Sequence, residues 1–157
     1  MNNTNIANSV LMTVLILVLI SPQLQSHCQV PCGIYNDQMR ITMINEHITT
    51  IEKAMNQVST LSGEENLNYN QLIRWTTNKE KHAEELSRII TDYFLAQRIK
   101  PVPPEEIKAH SLYQNRVEML HRLLVFTMKS KQGIDLSIIK KMRAAVKNFE
   151  KIYFHGH

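Results

Sequence analysis

The sequence predicts an all-α protein, an up-down four-helix bundle preceded by an irregular N-terminal segment. Apolar residues recur at intervals of three and four along four stretches of the chain, and glycine, proline or serine interrupts the pattern between them. No stretch shows the apolar–polar alternation that is typical of a β-strand. Four amphipathic helices with short links are expected to pack as a left-handed, heptad-like bundle.

The first 26 residues have the pattern of a removable secretory signal. An uncharged apolar run extends from Val10 to Ile20, and a small residue follows at Ser26. The run is shorter than the roughly 20 apolar residues of a transmembrane helix and has the length of a signal-peptide core. We therefore expect residues 1–26 to be removed and the chain to be exported to a periplasm, the cell exterior or an organelle lumen, without stable membrane association. An uncleaved anchor is one alternative, and a lipoprotein acylated at Cys28 is another.

The net charge of +4 belongs wholly to the part of the chain behind this signal, because the first 26 residues hold no charged side chain. The excess is moderate and lacks the clustered Lys/Arg stripe with interleaved aromatic residues of a nucleic-acid binder, so no nucleic-acid partner is expected. No glycine-rich phosphate loop or nucleophile elbow occurs either. Phosphoryl transfer and hydrolysis therefore have no support.

The first two helices are predicted from apolar stripes behind the N-terminal segment. The first stripe extends over 41–58 and is interrupted at 59–63, and the second, polar near its start, extends over 72–93. Three prolines within 101–104 then forbid a continuous helix. The expected core positions are Ile41, Ile44, Ile48, Ile51, Met55, Val58, Leu72, Thr76, Lys79, Ala83, Leu86, Ile90 and Tyr93.

The last two helices are predicted after this rigid turn. Pro104 followed by Glu105 and Glu106 suits a helix start, because proline is tolerated in the first turn and acidic residues favour a helix N-terminus. The third helix should end near Gly133, and Asp135 can cap the fourth. Their expected core positions are Tyr113, Val117, Leu120, Leu124, Ile139, Met142, Val146, Phe149 and Tyr153, so a single domain is expected over 36–157.

The segment 27–35, with the sequence HCQVPCGIY, gathers metal donors at the predicted mature N-terminus. Cleavage would leave the free α-amine and the imidazole of His27 beside the thiols of Cys28 and Cys32. Two thiolates, the amine and the amide nitrogen of Cys28 would form a planar set of two sulfurs and two nitrogens. Planar coordination of this kind favours Ni(II) or Cu(II), whereas Zn(II) prefers a tetrahedron.

Two alternatives remain open for these cysteines. In an exported protein, two cysteines four residues apart are often a disulfide, and the chain would then be a helical-bundle interaction protein with a Cys28–Cys32 bridge. So short a loop would add little stability to the fold. The other alternative is a protein that binds nickel or copper without catalysing a reaction.

The run HCQVPCGIY resembles the N-terminal nickel hook of the nickel-containing superoxide dismutases and matches its pattern H-C-x-x-P-C-G-x-Y at every fixed position. The chain length, the four helical stripes and the stretch DYF at 92–94 are also similar to that family. The resemblance implies an enzyme that disproportionates superoxide to O2 and hydrogen peroxide by cycling between Ni(II) and Ni(III). It also implies one nickel ion per subunit and a homohexamer.

Carried over by position, the resemblance implies that the hook, residues 27–35, holds the metal ligands. Nickel would be bound by the α-amine of His27, the amide nitrogen and thiolate of Cys28 and the thiolate of Cys32, with the His27 imidazole as the axial ligand. Tyr35 would be a phenol near the open face of the metal that holds small anions or water. Tyr93 matches a second tyrosine of that kind, although it also fits the buried stripe of the second helix.

Other positions near the hook follow from the same resemblance. Gly33 would let the backbone turn without a Cβ clash. A glutamate and an arginine can orient the axial imidazole in this family; Thr42 stands at the glutamate position and His82 near the arginine position. Glu46, Glu80 and His82 are the candidates for that role. The histidines outside the hook form no i, i+4 pair with a carboxylate partner of the kind that builds a di-metal bundle site.

Overall fold

The computed structural model describes residues 33–155, which form four α-helices without a β-strand. The predicted all-α bundle is therefore confirmed for this part of the chain. The predicted signal segment 1–26 and the predicted ligands His27, Cys28 and Cys32 lie outside the described residues, as does 156–157. None of the helices in 33–155 is both long and apolar enough to cross a membrane.

The helices follow one another through short connections. Helix α1 packs against α2 and α4, and α3 packs against the same two helices. Gln38 bonds to Glu150 and Arg143 to Glu52, so α1 and α4 run in opposite directions. The bounds are α1 Asp37–Ser62, α2 Tyr69–Arg88, a π-helical continuation of α2 at Ile89–Arg98, α3 Ile107–Gln132 and α4 Ser137–His155.

Short polar side chains begin three of the helices. The side-chain oxygen of Asn36 accepts from the backbone N–H of Met39, at 2.9 Å, and starts α1. Asn68 starts α2 in the same way. The predicted cap of α4 is confirmed, because the carboxylate of Asp135 accepts from the backbone N–H of Ser137 at 2.8 Å.

The start of α3 differs from its prediction. The helix begins at Ile107 and not at Pro104, because the first turn after the prolines is not continued. The N–H of Glu106 closes this turn on the carbonyl of Pro103 at 3.2 Å, and Glu106 itself has a non-helical backbone with ψ of 68°. The prolines thus form a separate turn in front of the helix.

The core lies where the stripes predict it in α1, α2 and α4, and is shifted in α3. Leu124 is only half-buried, while its neighbour Leu123 is buried, so the inward line of α3 is displaced by one residue. Six further predicted core residues are also only partly buried: Val58, Leu72, Thr76, Tyr113, Val117 and Tyr153. The buried line of α3 consists of Leu120, Leu123, Thr127 and Ser130, whose two hydroxyls donate to backbone carbonyls of their own helix.

Lys79 occupies a predicted core position and is only 3% exposed. Its ammonium group donates to the carbonyl of Lys131 at 2.9 Å and to that of Gly133 at 2.8 Å. These carbonyls belong to the C-terminal end of α3, whose last carbonyls have no partner within the helix. Lys79 therefore fastens α2 to the end of α3, and burial lowers the pKa of its ammonium group.

Replacing Lys79 with methionine should destabilise the bundle. Methionine keeps the length of the side chain but removes both charged hydrogen bonds to the carbonyls of Lys131 and Gly133, so the free energy of unfolding should fall by about 2 kcal/mol. Urea unfolding followed by circular dichroism measures the change. The matched control is Lys81→Met on the exposed face of α2, which should change stability by less than about 0.5 kcal/mol. Equal stabilities of the two variants would contradict the role given to Lys79.

Candidate functional site

The described chain opens with a turn directly behind the predicted hook ligands. Gly33, the residue after Cys32, has a φ of +73°, a left-handed conformation that other residues rarely adopt. A Cβ at this position would meet no atom within 4 Å, so the backbone angle and not crowding requires glycine. The turn that the sequence predicted at Gly33 is thus present.

Tyr35 and Tyr93, the two tyrosines predicted for the site, are in contact. Their ring centroids are 6.0 Å apart at 66°, an edge-to-face pair. Tyr35 is 45% exposed, whereas Tyr93, from the π-helical segment, is 2% exposed and belongs to the core. The structure brings them together three residues beyond Cys32; their part in a reaction stays a prediction.

The carboxylate of Asp37, in the first turn of α1, binds three side chains from other parts of the bundle. The Tyr93 hydroxyl donates to it at 2.5 Å and the Tyr153 hydroxyl at 2.8 Å. Arg98 donates through two nitrogens, at 2.9 and 2.8 Å, in the bidentate geometry that suits a guanidinium and a carboxylate. The end of the π-helical segment and the end of α4 are thereby joined to the start of α1. We call this group the Asp37 cluster.

The electrostatics of the Asp37 cluster follow from this network. Burial alone would raise the pKa of Asp37, but hydrogen bonds from Arg98, Tyr93 and Tyr153 outweigh it and hold the pKa below its usual value. Burial and the hydrogen bond to Asp37 raise the pKa of Tyr93 to about 12. The hydrogen bond to Asp37 also raises the pKa of Arg98. At neutral pH the cluster holds one anion, one cation and protonated phenols.

Two guanidinium groups lie against the faces of the tyrosine pair. The Cζ atom of Arg98 is 4.4 Å from the ring centroid of Tyr35, and that of Arg40 is 5.0 Å from the centroid of Tyr93. Arg98 is neutralised by Asp37, whereas Arg40 forms no ion pair within residues 33–155. Of the charged groups that contact the two tyrosines, Arg40 and Arg98 are cationic and Asp37 is anionic.

A family model described as nickel-containing superoxide dismutase matches residues 22–156, nearly the whole chain. The chain belongs to the nickel-containing superoxide dismutase family. It is an oxidoreductase that acts on superoxide and uses a nickel cofactor. The match includes the hook sequence HCQVPCGIY as well as the bundle. Neither a search of curated proteins nor a search of solved structures returned a match.

Sequence reasoning about this superoxide dismutase missed the centre of the Asp37 cluster. Asp37 and Arg98 are 61 residues apart in the chain, and Asp37 and Tyr153 are 116 apart, so no local spacing reveals the pairing. Tyr153 was predicted only as a core residue. The one sequence feature that could have indicated Asp37 is its place as an acidic residue at the first position of a helix, two residues after the hook.

The three residues predicted to orient the axial imidazole, Glu46, Glu80 and His82, lie on α1 and α2 outside the Asp37 cluster. Glu46 and Glu80 are exposed on α1 and α2. His82 contacts His47 of α1 instead, with their Nδ1 atoms 2.9 Å apart. Burial and the nearby His82 lower the pKa of His47. The role of Glu46, Glu80 and His82 toward His27 stays a prediction, because His27 lies outside the described residues.

The Asp37 cluster predicts a specific pH dependence of stability. Asp37→Asn leaves Arg98 partly buried without its counter-charge, and we expect a loss of about 3 kcal/mol at neutral pH. The folded-state pKa of Asp37 is lowered, so its contribution is complete above the unfolded value of about 4 and is lost as the pH falls through the lower folded value.

Urea unfolding of both chains at several pH values measures this difference. The stability gap between the unchanged chain and Asp37→Asn should narrow as the pH falls from about 7 to about 3. The control is Asp92→Asn, a partly exposed acid in the π-helical segment whose carboxylate forms no ion pair within residues 33–155, so only a small gap is expected at any pH. A gap for Asp37→Asn that stayed constant over this range would contradict the assignment.

Proposed function

We propose that the enzyme binds its nickel ion in the hook after residues 1–26 are removed. The ligands are the α-amine and imidazole of His27, the amide nitrogen and thiolate of Cys28, and the thiolate of Cys32. The observation that carries this proposal is the match of HCQVPCGIY to the family's hook at every fixed position. The donor set fits nickel, because two thiolates and two nitrogens can form the planar coordination that Ni(II) accepts, whereas zinc prefers a tetrahedron.

The reaction converts two superoxide ions and two protons into O2 and hydrogen peroxide. One superoxide loses an electron and leaves as O2, and the other gains an electron, takes both protons and leaves as hydrogen peroxide. Bound nickel supplies the one-electron exchange between Ni(II) and Ni(III), since anionic thiolates and a deprotonated amide stabilise the higher oxidation state.

The tyrosine pair would control which small molecules reach the proposed nickel ligands. Tyr35 follows Cys32 by three residues, and its half-exposed phenol can donate a hydrogen bond to a small anion or to water. Tyr93 lies behind it, and with a pKa of about 12 its phenol stays protonated at neutral pH. Because Tyr93 is fixed by Asp37 and packs against Tyr35, it is a positioning residue for Tyr35.

The positive charge around the tyrosine pair suits an anionic substrate. Superoxide dismutases have kcat/KM values near the diffusional limit, where a local field raises the rate of encounter. Arg40 supplies charge that no carboxylate of residues 33–155 neutralises, beside Tyr93. We assign Arg40 a part in attracting superoxide toward the hook.

Export and assembly complete the proposal. The leader pattern in residues 1–26 supports export, and cleavage there would create the amine ligand of His27. A homohexamer is expected from family resemblance. The apolar side chains of Ile34 and Met39, within four residues of Tyr35 in the chain, are 77% and 52% exposed, which favours a subunit contact at this end of the chain.

The free amine of His27 provides a sharp test of the hook. The chain is produced with His27 as its first residue and, for comparison, with one additional residue in front of it. Extension replaces the amine by an amide, so superoxide dismutation and the electron-resonance signal of Ni(III) should appear only with the chain that begins at His27.

Three results would contradict this assignment. Full activity in the extended chain would show that the amine is not needed. Nickel binding with superoxide decay at the uncatalysed rate would indicate a binding protein without turnover. A metal-free mature chain whose intact mass is two hydrogens below that of the dithiol would indicate a Cys28–Cys32 disulfide instead.

Arg40→Gln tests the electrostatic part of the proposal. Loss of one positive charge near the site should lower kcat/KM by about twofold at low ionic strength, with the difference disappearing at high salt. Pulse radiolysis of the nickel-loaded chain measures this rate. The matched control is Arg74→Gln, an exposed arginine on α2, which should leave the rate and its salt dependence unchanged. Identical salt dependence in all three chains would rule out steering by Arg40.

A further inference from the structure

Three potential metal ligands converge on one side of the bundle, away from the Asp37 cluster. They are His47 of α1 and His82 and Glu85 of α2. His47 follows Asp37 by ten positions in α1, which is about 15 Å along the helix axis. This group is therefore distinct from the tyrosine pair. Its imidazoles are mostly buried, with side chains 13% and 27% exposed, and the carboxylate is 39% exposed.

The spacing of the three ligand atoms fits a single small cation. The Nδ1 atoms of His47 and His82 are 2.9 Å apart, and they lie 3.7 and 3.8 Å from Oε2 of Glu85. One point is about 2.0 Å from all three atoms, which is the length of a bond from a first-row metal to imidazole nitrogen or carboxylate oxygen. These three distances therefore allow one ion to be shared by the three ligand atoms.

Hydrogen bonding explains this arrangement less well than a metal does. The two imidazoles can share one proton between their Nδ1 atoms, but Oε2 of Glu85 is too far from either nitrogen for a hydrogen bond. The carboxylate nonetheless faces both rings. Glu46 and Glu85 both act on the charge of His47, while the ammonium group of Lys81 lies 3.9 Å from Oε1 of Glu85, so Oε2 of Glu85 remains the carboxylate atom that faces the two rings.

We propose that His47, His82 and Glu85 form a second metal site, which takes a divalent first-row transition-metal ion of the nickel, copper or zinc group. Two imidazoles and one carboxylate are ligands that these ions share, and the partly exposed side of the site leaves room for water as a further ligand. Because the ligands come from α1 and α2, the bound ion links the two helices. The site is independent of the hook and of nickel redox chemistry.

Zinc is the probe that tests this site. The chain beginning at His27 carries Cys28→Ser and Cys32→Ser, so the hook thiolates cannot take the ion. Calorimetric titration should show one zinc ion bound per chain, and saturating zinc should raise the melting temperature by about 5 °C. These measurements need no superoxide dismutase activity, so they succeed or fail separately from the hook proposal.

Variants in the same background assign the ligands. Glu85→Gln keeps the size of the side chain, and His82→Gln removes an imidazole that is partly exposed; each should weaken zinc binding by at least about tenfold. His121→Gln, an exposed histidine on α3, is the matched control and should bind zinc unchanged. Circular dichroism establishes that each variant is folded.

Two results would overturn the proposal. The first is the absence of zinc binding by the folded background chain at concentrations that saturate an ordinary two-histidine site. The second is binding of equal strength in the background chain, Glu85→Gln and His82→Gln, which would assign the ion to other groups such as the terminal histidines.

Discussion

The carboxylate of Asp37 accepts hydrogen bonds from three side chains that belong to two other segments of the bundle. Because Asp37 is also the first residue of α1, these bonds fix the point at which the chain leaves the N-terminal segment and enters the fold. Arg98, held by Asp37, lies over the ring of Tyr35, and Tyr93, held by the same carboxylate, contacts its edge. The position of Tyr35, the last residue of the hook, thus depends on one partly buried anion.

The two ends of the bundle are held by polar groups, while the middle is apolar. At the end opposite to Asp37, the ammonium group of Lys79 satisfies carbonyls at the end of α3. Between them lies a continuous core of isoleucine, leucine and aromatic side chains. The core supplies most of the favourable free energy of folding, whereas each polar cluster fixes the relative position of particular helices. The Asp37 cluster thus fixes the end of the bundle at which the chain continues from Tyr35, and fixed geometry is what a functional site needs.

Much of the fold followed from the sequence, because apolar spacing is a local property. The spacing of three and four residues correctly predicted which side chains of α1 are buried, namely Ile41, Ile44, Ile48 and Ile51. The cap of α4 was predicted from Asp135. The π-helical segment at Ile89–Arg98 was not predicted, since its backbone bonds, such as Ile99 to Phe94, leave no mark on the apolar spacing. The Asp37 cluster and the contact of His47 with His82 join residues that are far apart in the chain, so only the packed bundle reveals them. The hook ligands are proposed from the sequence alone, since His27, Cys28 and Cys32 lie within six residues of one another in the chain.

The central claim is that the Asp37 cluster fixes the surroundings of the nickel hook as well as the end of the bundle. The most direct measurement is the rate of superoxide dismutation per bound nickel ion, compared between the unchanged chain and Asp37→Asn at a temperature where both are folded. With nickel content determined for each sample, we predict that kcat/KM per nickel falls by at least about tenfold in Asp37→Asn, as for other groups that orient a metal site from outside its ligands. An unchanged rate per nickel ion would show that the Asp37 cluster serves only stability and would contradict the claim.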